Sequence, residues 1–581
     1  MAAKKIVKIK KSFQATSPAE KKEKSGKQTP SLPPKKPVKR LSFFNPPRKI
    51  LLKKGAVKDA VVGEAKKITA IPPVIEPYKE VMLQPVKEPY SYVRVTFNNK
   101  TNEYLYETIE PSLSPDESAL LENIKNTLIR ILEYDTKHAT QKNREAYLVK
   151  SIDTILYNSS MDIDEITKKK IVYYVMRDFI GYGPLDVLMT DPMIEDVSCD
   201  GPKIPLFVFH RRYESIKTNI IFNTEEELDS YVITLAQRCG KHISVADPML
   251  DATIPDGSRL QATLSKEVTT RGSSFTIRRF RESPLTPADL IGYNTLSKDM
   301  VAFLWLAVQH GESMLISGGT ASGKTTTLNA VLLFVPPSMK LVSIEDTREI
   351  NLPHENWIAG LTRSGFGGKA TEGKAAGEID MFELLKAALR QRPEYLIVGE
   401  VRGKETYTLF QAMATGHTTY STIHADSVDA IVRRLENPPI SLPRILLSAL
   451  NLVILQGQVR VGTRMVRRVK KIVEVVGIEP ETNELITNTV YEWTPVGDTF
   501  VYSGNNYLFG KIMARKNITS EEMAEEFKKR KDLVEWMVRQ KVKSYLDVAN
   551  IVSSYYKDPE KTMERVRAEL YGNEEKKQNG G

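Results

Sequence analysis

Cysteine is almost absent from this chain of 581 residues: only Cys199 and Cys239 occur, with no Cys-x-x-Cys pair. That excludes a disulfide framework and a four-cysteine zinc site, and it suits a reducing compartment. Long apolar runs are also missing. None approaches the roughly 20 residues a membrane span needs, and the Lys-rich beginning lacks the apolar centre of a signal peptide. The expectation is a cytoplasmic protein. Aromatic residues are scarce where positive charge is densest, so the basic residues have few stacking partners for bases. Sequence-specific nucleic-acid recognition is therefore not expected.

Positive charge is abundant in one place. The net +11 divides into +16 over residues 1–67, with 20 Lys and Arg against 4 Asp and Glu, and −5 over the rest. Residues 1–95 are rich in Lys, Pro and Ser without sustained periodicity, which predicts a disordered basic tail. Its charges suit plain solvation or an anionic membrane lipid surface, where each Lys or Arg contributes about 1 kcal/mol. Residues 96–190 begin β-like and then carry apolar residues at spacings of three and four, which predicts a mainly helical module. Short strand signals and one helix over 225–239 predict an α+β domain over 191–282. A Pro-bearing linker at 283–296 leads into alternating strand and helix over 297–505, the pattern of a parallel sheet covered on both faces. Charged helical segments fill a carboxy-terminal extension at 506–581 that carries no chemical motif and reads as a helical appendage.

The strongest motif opens the alternating domain. Gly318, Gly319, Thr320, Ala321, Ser322, Gly323, Lys324, Thr325 and Thr326 follow an apolar strand and begin a helix. The spacing Gly-x-x-x-x-Gly-Lys-Thr is that of a phosphate-binding loop. Its glycines let backbone N–H groups turn toward one phosphate, where the new helix adds unpaired donors and its positive dipole end. Lys324 is expected to reach the β- and γ-phosphates of ATP, and the Thr325 hydroxyl to hold Mg²⁺. Kinases, helicases and transport motors all use such a loop, so it does not fix the task.

Phosphoryl transfer relies on positioning and countercharge, so acids at strand ends are the next candidates. Glu400 closes an apolar strand and is expected to hold Mg²⁺ through water. Glu345, Asp346 and Glu349 run off the strand at 340–344; one acid is expected to orient water and another the metal. His417 and His424 share the segment 416–425, but their seven-residue gap fits no simple metal spacing, and by themselves they read as structural.

Taken together, Gly-Gly-Thr-Ala-Ser-Gly-Lys-Thr-Thr, Ile-Glu-Asp-Thr-Arg-Glu, Leu-Arg-Gln-Arg-Pro (389–393), Ile-Val-Gly-Glu-Val-Arg (397–402) and the two histidine boxes resemble the type II/type IV secretion ATPase family. Those are the motors of type II secretion, type IV pili, conjugative DNA transfer and archaeal flagella. The resemblance covers about 181–500, including Gly-Tyr-Gly-Pro-Leu (181–185), Pro-Asp-Gly-Ser-Arg (255–259) and Thr-Ile-Arg-Arg-Phe (276–280). The Asp-Thr-Arg-Glu wording and Arg467-Arg468 look most similar to the archaeal branch; the tail and 510–581 lie outside.

The resemblance implies an α/β fold: a RecA-like P-loop motor domain joined to a smaller α+β sensor-like amino domain, assembled as a homo-hexamer. It implies Glu349 as the water-activating base, Glu345 and Asp346 as its acidic partners, Glu400 as the Mg²⁺-side acid, and His417 and His424 as γ-phosphate and interface sensors. Arg259, Arg278 and Arg279 occupy positions where the family supplies arginines to a neighbouring site. ATP and Mg²⁺ are the implied cofactors. A polytopic membrane platform protein at the inner face of the cell membrane is the implied partner, with pilin-like or secreted subunits as cargo. A DNA-transfer ATPase of the same fold, and a ring scaffold that binds nucleotide without turnover, are the alternatives.

Overall fold

A computed structural model describes residues 68–132, 141–158, 163–281, 283–363, 377–462 and 464–578. The basic stretch 1–67, and with it the proposed lipid contact, lies outside them.

Nine strands build the first sheet: β1 (Tyr78–Lys87), β2 (Ser91–Asn98), β3 (Glu103–Ile109), β4 (Ile194–Cys199), β5 (Pro205–His210), β6 (Glu214–Ile221), β7 (Met249–Thr253), β8 (Arg259–Thr263) and β9 (Ser274–Arg278). Their order is β1-β2-β3-β6-β5-β4-β9-β8-β7. Neighbours run antiparallel except β3 and β6. Along β9 buried and exposed residues alternate, with Phe275 and Ile277 turned inward against Leu228, Val232 and Leu235 of the helix Glu225–Arg238. Thr224 caps that helix by accepting from the Glu227 amide. The helices Pro115–Leu132, Gln141–Asn158 and Glu165–Phe179 form a separate cluster around Ile124, Leu128, Ile152 and Val175.

Two expected boundaries are corrected here. The tail does not extend to 95, because β1 and most of β2 fall inside it. β1 is an edge strand carrying Lys79, Glu80 and Pro85, a composition that an edge tolerates and that hides its half-buried Met82, Gln84 and Val86. Nor does the sheet respect a break at 190, since β3 pairs with β6 across it.

The second sheet holds β10 (Met314–Gly318), β11 (Leu341–Glu345), β12 (Trp357–Leu361), β13 (Tyr395–Val398), β14 (Thr418–Ile423), β15 (Leu452–Val461), β16 (Arg464–Ile478), β17 (Leu485–Thr494) and β18 (Thr499–Tyr502). The order β12-β11-β13-β14-β10-β15-β16-β17-β18 is parallel from β12 to β15 and antiparallel beyond. β14 is inserted between the phosphate-loop strand and β13, giving the expected RecA-like arrangement. Met314 and Ile316 pack to one face while Leu315 packs to the other, so every residue of β10 is buried.

The helices beyond 505 are more than an appendage. Leu533, Trp536, Val552, Tyr555 and Met563 join one core with Phe303 and Trp305 of the helix Lys298–Gln309. That helix is apolar on every side, and its second covering is what makes its sequence stable in water.

Candidate nucleotide-binding site

The loop after β10 is shaped by two positions that resist ordinary side chains. A Cβ on Gly318 would lie 2.1 Å from the Gln456 carbonyl oxygen, and Gly323 takes φ +92° as the cap of the helix Lys324–Leu332. Ala321 is held at φ 55°, a left-handed conformation that costs a non-glycine residue. Its carbonyl accepts from Gln458 Nε2 at 3.1 Å and Arg467 Nε at 2.9 Å, so the β15–β16 hairpin braces the turn. Ser322 Oγ donates to the Gly319 carbonyl at 2.9 Å. Gly319, Thr320 and Ala321 stay exposed, and Thr325 and Thr326 are half-buried in the first helical turn.

Lys324 Nζ donates to the Gly318 and Gly319 carbonyls at 3.1 and 3.0 Å and lies 3.3 Å from His424 Nδ1. Burial holds its pKa below the ordinary lysine value, against the pull of Glu400 and Glu349. Glu400, just past β13, lies 3.1 Å from His424 Nε2 and accepts from Arg402 at 2.5 Å. Burial opposes its ionisation, but Arg402, His424 and Lys324 outweigh that and hold the carboxyl below its usual range. His424 is shifted down chiefly by burial, with Lys324, Arg402 and Arg434 adding to it and Glu400 opposing.

The second set of acids enters from β11. Glu345 is 2% exposed, and its Oε1 accepts from the Glu349 and Ile350 amides, each at 2.9 Å. Burial pushes its pKa up to about 8 despite those donors. Asn329 of the loop's own helix donates to the Glu349 carbonyl at 2.8 Å and accepts from the Asn351 amide at 3.0 Å. The turn carrying Glu349 is thereby tied to the helix that starts with Lys324. Asp346 is exposed near Arg259 and Arg402.

Three expected residues fare differently from their neighbours. Arg278 reaches to 3.8 Å from Glu349 of the same chain. Arg279 turns the other way and donates to the backbone carbonyls of Leu188, Asp191 and Ile194 inside its own domain. It does not reach the phosphate loop of its own chain, because consecutive residues of an extended strand end point to opposite sides. Arg259 pairs with Asp251 at 2.6 Å. His417 lies apart from His424: it precedes β14 at the end where Thr418 bonds the Gly311 carbonyl. His424 follows the opposite end, about 20 Å away at roughly 3.3 Å per residue.

Arg402, Asn329, Gln456, Gln458 and Arg467 had no expected role. Asn329 carried a legible signal, a polar residue inside the run Leu328-Asn329-Ala330-Val331 that is buried throughout. Arg467 stood out only as part of the Arg467-Arg468 resemblance, and Gln456 and Gln458 carried no signal, since the β15–β16 residues reach the loop only through the sheet order.

The donor set suits a nucleotide with a cation. The cradle has no room for side chains at Gly318, a lysine sits behind the loop, and among the described residues Glu345 Oε2 is buried with no hydrogen-bond partner. Among the described residues no group of three or more His, Cys, Asp or Glu forms a metal site. A cation here would be shared with the nucleotide's own phosphates.

A phosphate loop between a buried parallel strand and a helix, with acids from two further strand ends, defines a P-loop nucleotide-binding domain of RecA-like fold. A model of the type II/IV secretion system protein family matches residues 181–569, so the match includes most of the carboxy-terminal helices. The chain belongs to that family. It is 34% identical over 503 residues to an uncharacterized protein of Methanocaldococcus jannaschii, covering 82% of this chain and 89% of that one. It is 36% identical over 234 residues to the type IV secretion system protein PtlH of Bordetella pertussis, covering 36% of this chain and 67% of that one. The crystal structure of the VirB11 ATPase from the Brucella suis type IV secretion system in complex with sulphate is 25% identical, covering 50% of this chain and 94% of that one, with a TM-score of 0.25. Among the described residues no helix is long and apolar enough to cross a membrane.

Proposed function

We propose that this protein is a motor ATPase that hydrolyses ATP to power assembly or export of pilin-like or secreted subunits. It would work as a homo-hexamer at the inner face of the cell membrane, pushing on a polytopic platform protein. The observation that carries the reading is the gathering of Lys324, Glu400, His424 and Glu349 around one loop, with Arg278 brought to Glu349 from the other domain.

In this reading Lys324 leaves the Gly318 and Gly319 carbonyls for the β- and γ-phosphates, and Glu349 takes the proton of the attacking water. Thr325 and Glu400 would hold Mg²⁺, which supplies charge neutralisation at the phosphate oxygens. His424, placed between Lys324 and Glu400, reports on the γ-phosphate position. Work follows if ATP and ADP states differ in affinity between the two domains, and Arg278 is a contact that can carry that difference. The test is ATP turnover by the wild type and by Lys324→Ala. Turnover that falls by about 10²–10³-fold in the variant supports the reading. A wild type that binds ATP without turning it over leaves a scaffold, and turnover stimulated by DNA redirects the reading to DNA transfer.

A further inference from the structure

Next to Glu349 stands Arg348, whose guanidinium carbon lies 5.6 Å from the ring centroid of Phe280 in the amino domain and 5.8 Å from that of Trp357 in the motor domain. Both distances fall within the roughly 6 Å over which a cation is drawn to an aromatic face. Among the described residues Arg348 Nε is buried with no hydrogen-bond partner, and the guanidinium lies beside two rings. The rings are themselves fixed. Trp357 donates Nε1–H to Ser343 Oγ at 2.9 Å, which holds it on β12 against β11. The Phe280 amide donates to Ser258 Oγ at 3.0 Å, and Ser258 is 1% exposed. Gly257, at φ +91°, leaves only 3.0 Å between a built Cβ and the Phe280 ring. The Pro-Asp-Gly-Ser-Arg turn is thus the seat of Phe280, a use the nucleotide site does not assign to it.

We propose that Arg348 is a positioning residue: its stack between Phe280 and Trp357 sets the 345–350 turn, and through it the Glu349 carboxylate, only while the two domains are closed on each other. The turn has one anchor in the motor domain at Glu345 and Asn329, and across the domains it meets Phe280 through Arg348 and Arg278 through the Glu349 carboxylate. Opening the domains removes both of these contacts and leaves Arg348 with Trp357 alone. Domain closure and competence of the base become one event, with no added group at the phosphate. The inference rests on the hydrolysis reading for its kinetic consequence, and on geometry alone for the stack.

The full chain is assayed as wild type, Phe280→Ala, Phe280→Tyr and Arg348→Lys, each checked for an unchanged melting temperature. Phe280→Ala should lower kcat by about ten- to a hundredfold, the effect of a small misplacement, with KM for ATP changed by less than about twofold. Phe280→Tyr, which keeps the aromatic face, should restore most of it. Arg348→Lys, which loses the planar cation, should fall between. The four tryptophans give a readout independent of turnover. Nucleotide-dependent emission assigned to Trp357 by comparison with Trp357→Phe should be lost in Phe280→Ala. Wild-type kcat and an intact emission change in Phe280→Ala would overturn the inference. A wild type without turnover would overturn the hydrolysis reading instead, and the emission change would still decide the stack.

Discussion

The two sheets deliver side chains in opposite ways. In the motor sheet β10, β11, β13 and β14 run parallel, so all of their carboxyl ends lie along one edge. Lys324, Glu349, Glu400 and His424 follow four different strands and still meet. In the amino sheet neighbours mostly run antiparallel, so their carboxyl ends lie at both edges, and at the end of β9 consecutive residues of one extended segment point to opposite sides. Arg278 faces Glu349 while Arg279 fastens its own domain. A parallel sheet gathers residues distant along the chain; the alternation along one extended strand end separates neighbours.

Substitutions at these strand ends separate the two kinds of residue. The largest effect belongs to Glu349→Gln, expected to lower ATP turnover by about 10²–10⁴-fold with nucleotide binding kept, measured by steady-state hydrolysis beside fluorescent-nucleotide titration. The arginine pair comes next. Arg278→Ala should reduce turnover by up to about 10² at unchanged stability. Arg279→Ala should leave turnover per folded molecule in place and cost about 1.5–3 kcal/mol in denaturant unfolding, the loss of charged hydrogen bonds to carbonyls. Equal behaviour of the two variants would refute the divergence at the end of β9.

The histidines sharpen the same point within one strand. His424→Ala should depress turnover, whereas His417→Ala, at the other end of β14, should change stability by no more than about 0.5 kcal/mol and leave turnover alone. The smallest expected effect is a slope. Glu345 has a folded-state pKa of about 8, above the ordinary 4.5, because burial favours its neutral form. Its contribution is fully present below the ordinary value and is lost as the pH rises through about 8. Glu345→Gln should flatten the fall in melting temperature over that window, and a variant curve parallel to wild type would show that the acid is already ionised at neutral pH.

Residue order by itself determined the phosphate loop, the strands ending at Ser317, Ile344, Val398 and Ile423, the acids just beyond them and the family they spell. Each of these is local: an apolar run, a turn of fixed spacing, a charge at a strand end. Tertiary structure alone decided the rest. It turned Arg279 away from this chain's own phosphate loop, set His417 and His424 at opposite ends of β14, brought Gln458 and Arg467 to the back of the loop, and made the carboxy-terminal helices part of the motor core. It also recruited β1 through β3 into the amino sheet. The reason is common to all of them. Periodicity along a chain says which side of its own strand or helix a residue takes, but the partner on that side comes from strand order and from which face is covered, and both are set by contacts between segments tens to hundreds of residues apart.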